Sequence, residues 1–304
     1  MNTHTTAPVV WGIIVTYRPE YQLLDALIHS VHRQLDGLLI IHNGTAADMC
    51  DCNVSLVTRV IHLGTNQGIA AAANTGSDLA VQQGATHVIF FDQDSEAAPD
   101  MVQQLLKAEK TLLDAGYPVG AVGPRYVDRR TGLSARVLAA DTQKCRKTME
   151  PPVDGTLEVD MLITSGCMVP VHILKQVGGL REDLFIDHVD MEWCFRARSM
   201  GYGVFVAGSA VLMHAIGDTL IRFAGVKVIM HSPIRHYYML RNGMALQRVN
   251  HMSATWRRNM RFTMLKQFVF YSLFFPKRRT RIPMMIQGLW DGLKGRMGPY
   301  EKRF

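Results

Sequence analysis

The run HVIFFDQDSEAAPD, His87 to Asp100, ends an apolar stretch with Asp92 and Asp94 two residues apart and no Lys or Arg beside them. Two carboxylates at that spacing offer the hard oxygen ligands that Mg²⁺ or Mn²⁺ takes together with substrate phosphates; a solvated turn uses the same residues. A second acidic group lies in LFIDHVDMEWCFRARSMGYGVF, Leu184 to Phe205, which holds Asp187, Asp190 and Glu192. Arg196 follows Glu192 by four residues, the spacing of an ion pair on a helix. That pairing accounts for Glu192 and leaves two acids over, and a carboxylate with access to a substrate hydroxyl is a candidate general base. In GTNQGIAAAANTGSDLA, Gly64 to Ala80, Asn66 and Gly68 open a helix, where bound anions are favoured. The spacing is not GxGxxG, so a dinucleotide fold is not indicated, and tight packing through alanine and glycine explains the segment as well.

These residues need strand ends and helix starts to hold them. Val9 to Thr16 is rich in β-formers, and Tyr21 to Val31 places Leu24, Leu27, Ile28 and Val31 at helical spacing. Leu38–Ile41 and Leu56–Leu63 read as strands, Ile69–Val81 as a helix, His87–Phe91 as a strand, Pro99–Ala115 as a helix and Val119–Val122 as another strand. Continuously apolar strands alternating with helices predict a mostly parallel sheet covered on both faces, a doubly wound α/β arrangement. Ligands of such sheets lie beyond the carboxyl ends of the strands. Thr16 and Tyr17, Asn43 and Gly44, and Asp92 and Asp94 each follow a strand, so three strand ends converge on one crevice. Pro124 to Glu158 reads as a polar flap, Asp190–Met200 as a helix stopped by Gly201, and Val204–Val206 with Ala210–Met213 as strands ending at His214. A lone histidine there has a structural reading as well as a ligating one. After Ile216 the pattern reads as helical and basic.

The ordered series IIVTYRP, HNG, NQGIAAAANTG, FFDQDS, TSGCMVP, FIDHVDMEWCFRARSMGY, MHAIGD and HSPIRHYYMLRN, over nearly all of Val9 to Asn250, resembles family 2 glycosyltransferases. It is most similar to the bacterial rhamnosyltransferase branch that assembles O-antigen and related surface polysaccharides. The resemblance implies a GT-A fold in residues 1–250, with a nucleotide-binding half over about 8–123 and an acceptor half over about 124–250; beyond it, 251–304 reads as a basic amphipathic helical tail. It implies inverting, metal-dependent transfer, with dTDP-L-rhamnose as donor, a lipid-linked or polysaccharide acceptor, and Mg²⁺ or Mn²⁺ as cofactor. Asp94 would be the more direct metal ligand, Asp92 would lie near ribose and metal, and His214 would complete the site. Asp190 matches the catalytic aspartate, with Asp187 as its rival because Val189 stands where the family has glutamate. Thr16, Tyr17 and Asn43 would line the base and ribose pocket, although His42-Asn43 replaces the usual Asp-Asn. Asn66 and Gly68 would approach the donor; His231, Arg235, Tyr237, Tyr238 and Arg241 would close over the diphosphate or form the polar face of a helix.

Bulk properties set the frame. The 304 residues, 48% hydrophobic and 19% charged, are those of a globular protein, not of a disordered or collagen-like chain. No apolar window is long enough to span a bilayer, and MNTHTTAPVV lacks the basic and apolar regions of a signal peptide, so the expected location is the cytoplasm. The five cysteines are scattered without paired CxxC spacing, and Cys50 and Cys52 read as a loop pair. The net charge of +7 is concentrated after Arg241, where Asp291 and Glu301 are the only acids. Within that tail MLKQFVFYSLFF, Met264 to Phe275, is apolar and flanked by bases, which suits a helix lying on an anionic leaflet, the reading a lipid-linked acceptor favours over a helix packed on the body or a second subunit. Nucleic acid is not an expected partner; a homo-oligomer is left open. Two further classes remain. A haloacid dehalogenase-type phosphatase also carries DxD after a strand, but expects Thr or Val where Glu96 stands. An inactive sugar-nucleotide-binding module would not need Asp92, Asp94, Asp190 and His214 intact.

Overall fold

The computed structural model describes residues 7–45, 54–129, 131–139, 147–214, 219–223 and 226–302, without the side chains of 54, 139, 147, 214, 219–223 and 226–230. Cys50, Cys52 and Cys145 lie outside the described residues. The first half runs β1 (Val10–Thr16), α1 (Tyr21–Val31), β2 (Gly37–His42), β3 (Arg59–His62), α2 (Ile69–Gln82), β4 (His87–Asp92), β5 (Glu96–Ala97), α3 (Met101–Asp114) and β6 (Val119–Asp128). There follow β7 (Val137–Ala139), β8 (Lys147–Met149), β9 (Thr156–Glu158), β10 (Met168–Pro170), α4 (Val171–Val177), α5 (Val189–Ser199), β11 (Gly203–His214), β12 (Thr219–Phe223), β13 (Val226–Met230), α6 (Pro233–Ala245), α7 (Ala254–Phe274) and α8 (Arg278–Lys294).

The main sheet has the order β3-β2-β1-β4-β10-β6-β11-β5, with β9 also on β11. β3, β2, β1 and β4 are parallel, and β6 and β11 are parallel to each other. β10 runs antiparallel between β4 and β6. Because strand side chains alternate faces, Ile13, Leu39 and Phe90 pack on the side of α2, α4 and α5. Their neighbours Ile14, Ile40 and Phe91 pack with α1 and α3 on the other. The chain builds β1, β2 and β3 outward in one direction and then returns to lay β4 on the opposite side of β1, so the strand order reverses at the β1/β4 junction, where crevices of such sheets open.

Three expectations change. Val119–Val122 is only the start of β6, which continues to Asp128 through pairing with β11; a boundary between halves at residue 123 would fall inside this strand. In the stretch read as helical after Ile216, β12 and β13 instead pair as antiparallel strands, Thr219 opposite Met230. The strand signal is Thr219 and Ile221, and Val226 and Val228, β-branched at alternate positions. Within the tail, α8 packs on the catalytic body: at Gly288 an added Cβ would come within 2.5 Å of the Tyr237 carbonyl oxygen, and at Gly292 within 2.4 Å of that of Arg241. Helices α6 and α8 therefore touch backbone to backbone. A third apolar cluster joins α5, α6, α7 and α8 through Phe195, Leu240, Trp256, Met260, Met264 and Met285.

Candidate active site

Asp92 is the last residue of β4, and its carbonyl accepts from Ser95 N–H at 3.2 Å, closing a tight turn that displays Asp94. The turn is braced from both sides. The Gln93 side chain accepts from Tyr17 N–H (2.9 Å) and donates to Tyr17 O (3.3 Å), tying the turn to the end of β1. Asp92 N–H donates to Ser165 Oγ at 3.1 Å, and Ser165 and Ser95, both fully buried, share a hydroxyl bond of 2.7 Å. Gly166 N–H donates to Phe90 O. The small-residue break Thr164-Ser165-Gly166 is thus the clamp of the Asp92–Asp94 turn, a role that sequence reasoning missed; its signal was small polar residues inside an apolar run.

Thr16 offers a ligand no surface. It is fully buried, and its Oγ1 lies 3.0 Å from His42 Nδ1. His42 Nε2 is 2.8 Å from Thr45 O; a carbonyl only accepts, so Nε2 carries the proton and Nδ1 accepts from Thr16. With both ring nitrogens engaged, His42 is a brace behind the pocket and does not replace an aspartate facing a base. Asn43, 4% exposed, donates to Asn66 Oδ1 (3.1 Å) and accepts from Gln67 N–H (2.7 Å), while Asn66 Oδ1 also accepts from Gly68 N–H (3.0 Å). Of the residues expected to line the pocket, Tyr17 (41% exposed) and Asn66 face solvent; Thr16 and Asn43 shape the loops that carry them.

Gly68 has φ of +90°, and a Cβ there would stand 2.6 Å from Phe185 O. Only glycine admits this approach, by which Ile69 N–H at the start of α2 donates to Phe185 O at 2.8 Å. The segment so reached leads into α5. Phe185, Asp187 and His188 all have positive φ, at 64°, 63° and 64°, each costing about 1 to 3 kcal/mol. Asp190 follows in the first turn of α5, its Oδ1 accepting from Met191 N–H at 2.8 Å. Its carboxyl is enclosed by protein although the residue keeps some surface. Burial, and then the neighbouring Asp92 and Asp187, push its pKa up to about 6 against the pull of backbone hydrogen bonds. Asp187 instead pairs with Arg235, at 2.6 Å. Glu192, 2% exposed, pairs with Arg196 at 2.9 Å, as the spacing predicts, and also with His251 at 3.1 Å. Three carboxylates, Asp92, Asp187 and Asp190, therefore share one electrostatic neighbourhood.

Arg241 is not placed for a ligand. It is fully buried, beneath Tyr238 and Tyr237 rings at 4.8 and 5.5 Å. His214 ends β11 opposite Asp128, and its side chain lies outside the described residues. Among the described residues no three His, Cys, Asp or Glu side chains gather as a metal site. Asp92 and Asp94 nevertheless suit a hard cation, since Mg²⁺ is commonly held by one or two carboxylates with waters and substrate phosphates. The buried thiols have no part: burial pushes Cys194 up to about 12 and Cys167 well above the usual thiol range.

Residues 12–146 match the family described as "Glycosyl transferase family 2". Over 244 residues the chain is 32% identical to the "dTDP-rhamnosyl transferase RfbF" of Shigella flexneri, covering 80% of this chain and 81% of that protein. The chain is a family 2 glycosyltransferase. That membership sets aside the phosphatase reading of Asp92 and Asp94. Solved structures share the fold of this glycosyltransferase at low identity. GalNAc-T7 with UDP, GalNAc and Mn²⁺ matches with a TM-score of 0.56 and 12% identity, over 90% of this chain and 59% of that one. S. aureus TarS 1–349 in complex with UDP-GlcNAc matches with a TM-score of 0.53 and 14% identity, over 94% and 81%. These establish the GT-A architecture of the enzyme.

Proposed function

We propose that this glycosyltransferase moves L-rhamnose from dTDP-L-rhamnose, with inversion, onto a lipid-linked or polysaccharide acceptor in the assembly of a cell-surface glycan such as O-antigen. The observation that carries the chemistry is Asp190, a carboxyl raised to about 6, free of the ion pair that engages Asp187 and beside the strand end that bears Asp92. The donor sugar rests on the Shigella relative. Asp190 takes the proton of the acceptor hydroxyl while that oxygen forms its bond to the anomeric carbon. The bond from that carbon to the diphosphate breaks, and dTDP leaves. The transition state is oxocarbenium-like, as in glycoside hydrolysis.

Asp92 and Asp94 would hold a Mg²⁺ or Mn²⁺ ion, with His214 as the further ligand expected from the family. Such an ion offsets the charge that builds on the departing diphosphate. Tyr17 and Asn66 would border the nucleotide, and Arg235, paired with Asp187, would exchange that partner for a phosphate oxygen. The division into a donor half and an acceptor half belongs to the same reading.

The acceptor is reached at an anionic membrane surface on the inner face of the cytoplasmic membrane. No helix among the described residues is long and apolar enough to cross a bilayer. One face of α7 is buried through Trp256, Met260, Met264 and Tyr271, whereas Phe262, Leu265, Val269, Leu273 and Phe274 are exposed. No acid occurs from Ala254 to Trp290, so a second copy brought face to face would meet like charge, and an anionic leaflet would not.

Release of nucleoside diphosphate from a panel of sugar donors, with Mg²⁺ or Mn²⁺, tests the reading. dTDP-rhamnose is expected to be the best donor, Asp94→Asn and Asp190→Asn to abolish transfer, and Asp94→Asn also to weaken metal-dependent nucleotide binding. Undiminished turnover by Asp190→Asn would remove it as the base, and preference for another donor would remove rhamnose.

A further inference from the structure

The segment that delivers Asp190 is backbone-strained, and its support comes from one helix face. Phe185 has φ 64° and ψ −62°, and Ile186 N–H donates to Leu184 O at 2.7 Å, which is the γ-turn of the hand that L-residues adopt rarely and under strain. Asp187 and His188 are left-handed in turn, and His188 is the residue from which α5 starts. From α6, Arg235 grips Asp187, Tyr238 stacks on Phe185 (5.0 Å, 13°), and Arg241 Nη2 donates to Leu184 O at 2.8 Å. Asn242 does most. Fully buried, its Nδ2 is 2.9 Å from Leu184 O, 2.8 Å from Ile186 O and 2.8 Å from Asp187 O. Its Oδ1 accepts from Arg241 Nε at 2.9 Å, which fixes the orientation of the amide, because only a donor group can face three carbonyls.

We propose that Asn242 is a positioning residue for transfer: its amide, oriented by Arg241, holds the carbonyls of residues 184, 186 and 187 so that α5 starts where Asp190 meets the acceptor hydroxyl. This rests on Asp190 being the base. A shift of about 1 Å in such a group lowers rates roughly 100-fold without touching the donor site. The residue that would fail is thus 55 positions from the loop in sequence, as Asn242 Nδ2 to Asp187 O records, and it contacts no substrate.

Steady-state kinetics on Asn242→Asp, with Asp190→Asn and wild type alongside, tests this. Aspartate keeps the shape and removes both donors. The folded variant, checked by circular dichroism and melting, is expected to bind dTDP with Mg²⁺ at wild-type affinity while kcat falls roughly 10- to 100-fold. Asn242→Gln, which keeps the donors on a longer arm, is expected to recover part of that loss; should Asn242→Asp not fold, Asn242→Ala, which removes the donors without adding charge, is read by the same criteria. A purely structural role would lower the melting temperature and leave kcat per folded molecule unchanged. A kcat within threefold of wild type, or a loss confined to dTDP affinity, overturns the inference. An inactive Asp190→Asn beside a fully active Asn242→Asp overturns this inference alone; an active Asp190→Asn overturns the base reading and this inference with it.

Discussion

In the proposed reaction Asp190 places catalysis and stability in opposition. Its pKa of about 6 in the folded chain, against 3.8 for the free side chain, means that folding favours the protonated form. The contribution is fully present below about pH 4 and is lost as pH rises through 6, a difference on the order of 2 to 3 kcal/mol. In chelator, Asp190→Asn is therefore expected to be more stable than wild type at pH 8 and equally stable at pH 3.5, while losing transfer; urea titrations at the two pH values measure this. A base with this pKa also sets an acid limb: turnover should fall about tenfold per pH unit below 6, and a bound divalent cation, by favouring the carboxylate, should move that limb lower. The Asp92–Asp94 pair was legible because strand end and spacing are both local. The roles of Thr16 and Asn43 were not, since burial depends on what covers them, and His42 is what turns Thr16 away from the crevice.

At the scale of elements, α6 supports the segment before Asp190, and α8 packs against α6. A Cβ added at Gly288 or Gly292 would stand 2.5 or 2.4 Å from a carbonyl oxygen of α6, so there is no room for a methyl group. Gly288→Ala and Gly292→Ala are each expected to destabilise by about 1 to 3 kcal/mol through forced separation of the helices, read as a lower urea midpoint. Because α6 carries Arg241 and Asn242, kcat should fall with it. Helix α2 shows the same logic at its start, where Gly68 admits the Phe185 carbonyl. In sequence the glycine suggested an anion site; in the fold the nearest contact is the loop of another segment.

For the whole molecule the asymmetry of charge becomes a direction. The exposed stripe of α7 lies between Arg258 and Arg261 at one end and Lys277, Arg278 and Arg279 at the other. Flotation with vesicles containing anionic lipid is expected to exceed that with neutral vesicles and to decline from 0.05 M to 0.5 M salt, as the screening length shortens from about 14 to 4 Å. The triple change Leu265→Ser, Val269→Ser, Leu273→Ser should weaken it at every salt; equal flotation on neutral vesicles would count against the electrostatic part. Deleting 253–304 would not be a clean comparison, because α8 and residues 298–301 support the body: Tyr300 N–H donates to Tyr238 Oη at 2.7 Å, and Gly298 N–H to Asp183 O at 2.8 Å. The sequence by itself determined the alternation of strands and helices, the Asp92–Asp94 turn, the Glu192–Arg196 pair and the family, because each is written in neighbours a few residues apart or in an ordered series of motifs. Only the tertiary structure decided that Thr16 and His42 brace each other behind the strand ends, that residues 219–223 and 226–230 pair as antiparallel strands, and that Asn242 holds the loop before Asp190. Those depend on hydrogen bonds and burial between segments tens of residues apart, and local residue patterns carry no record of which distant carbonyl a side chain will meet.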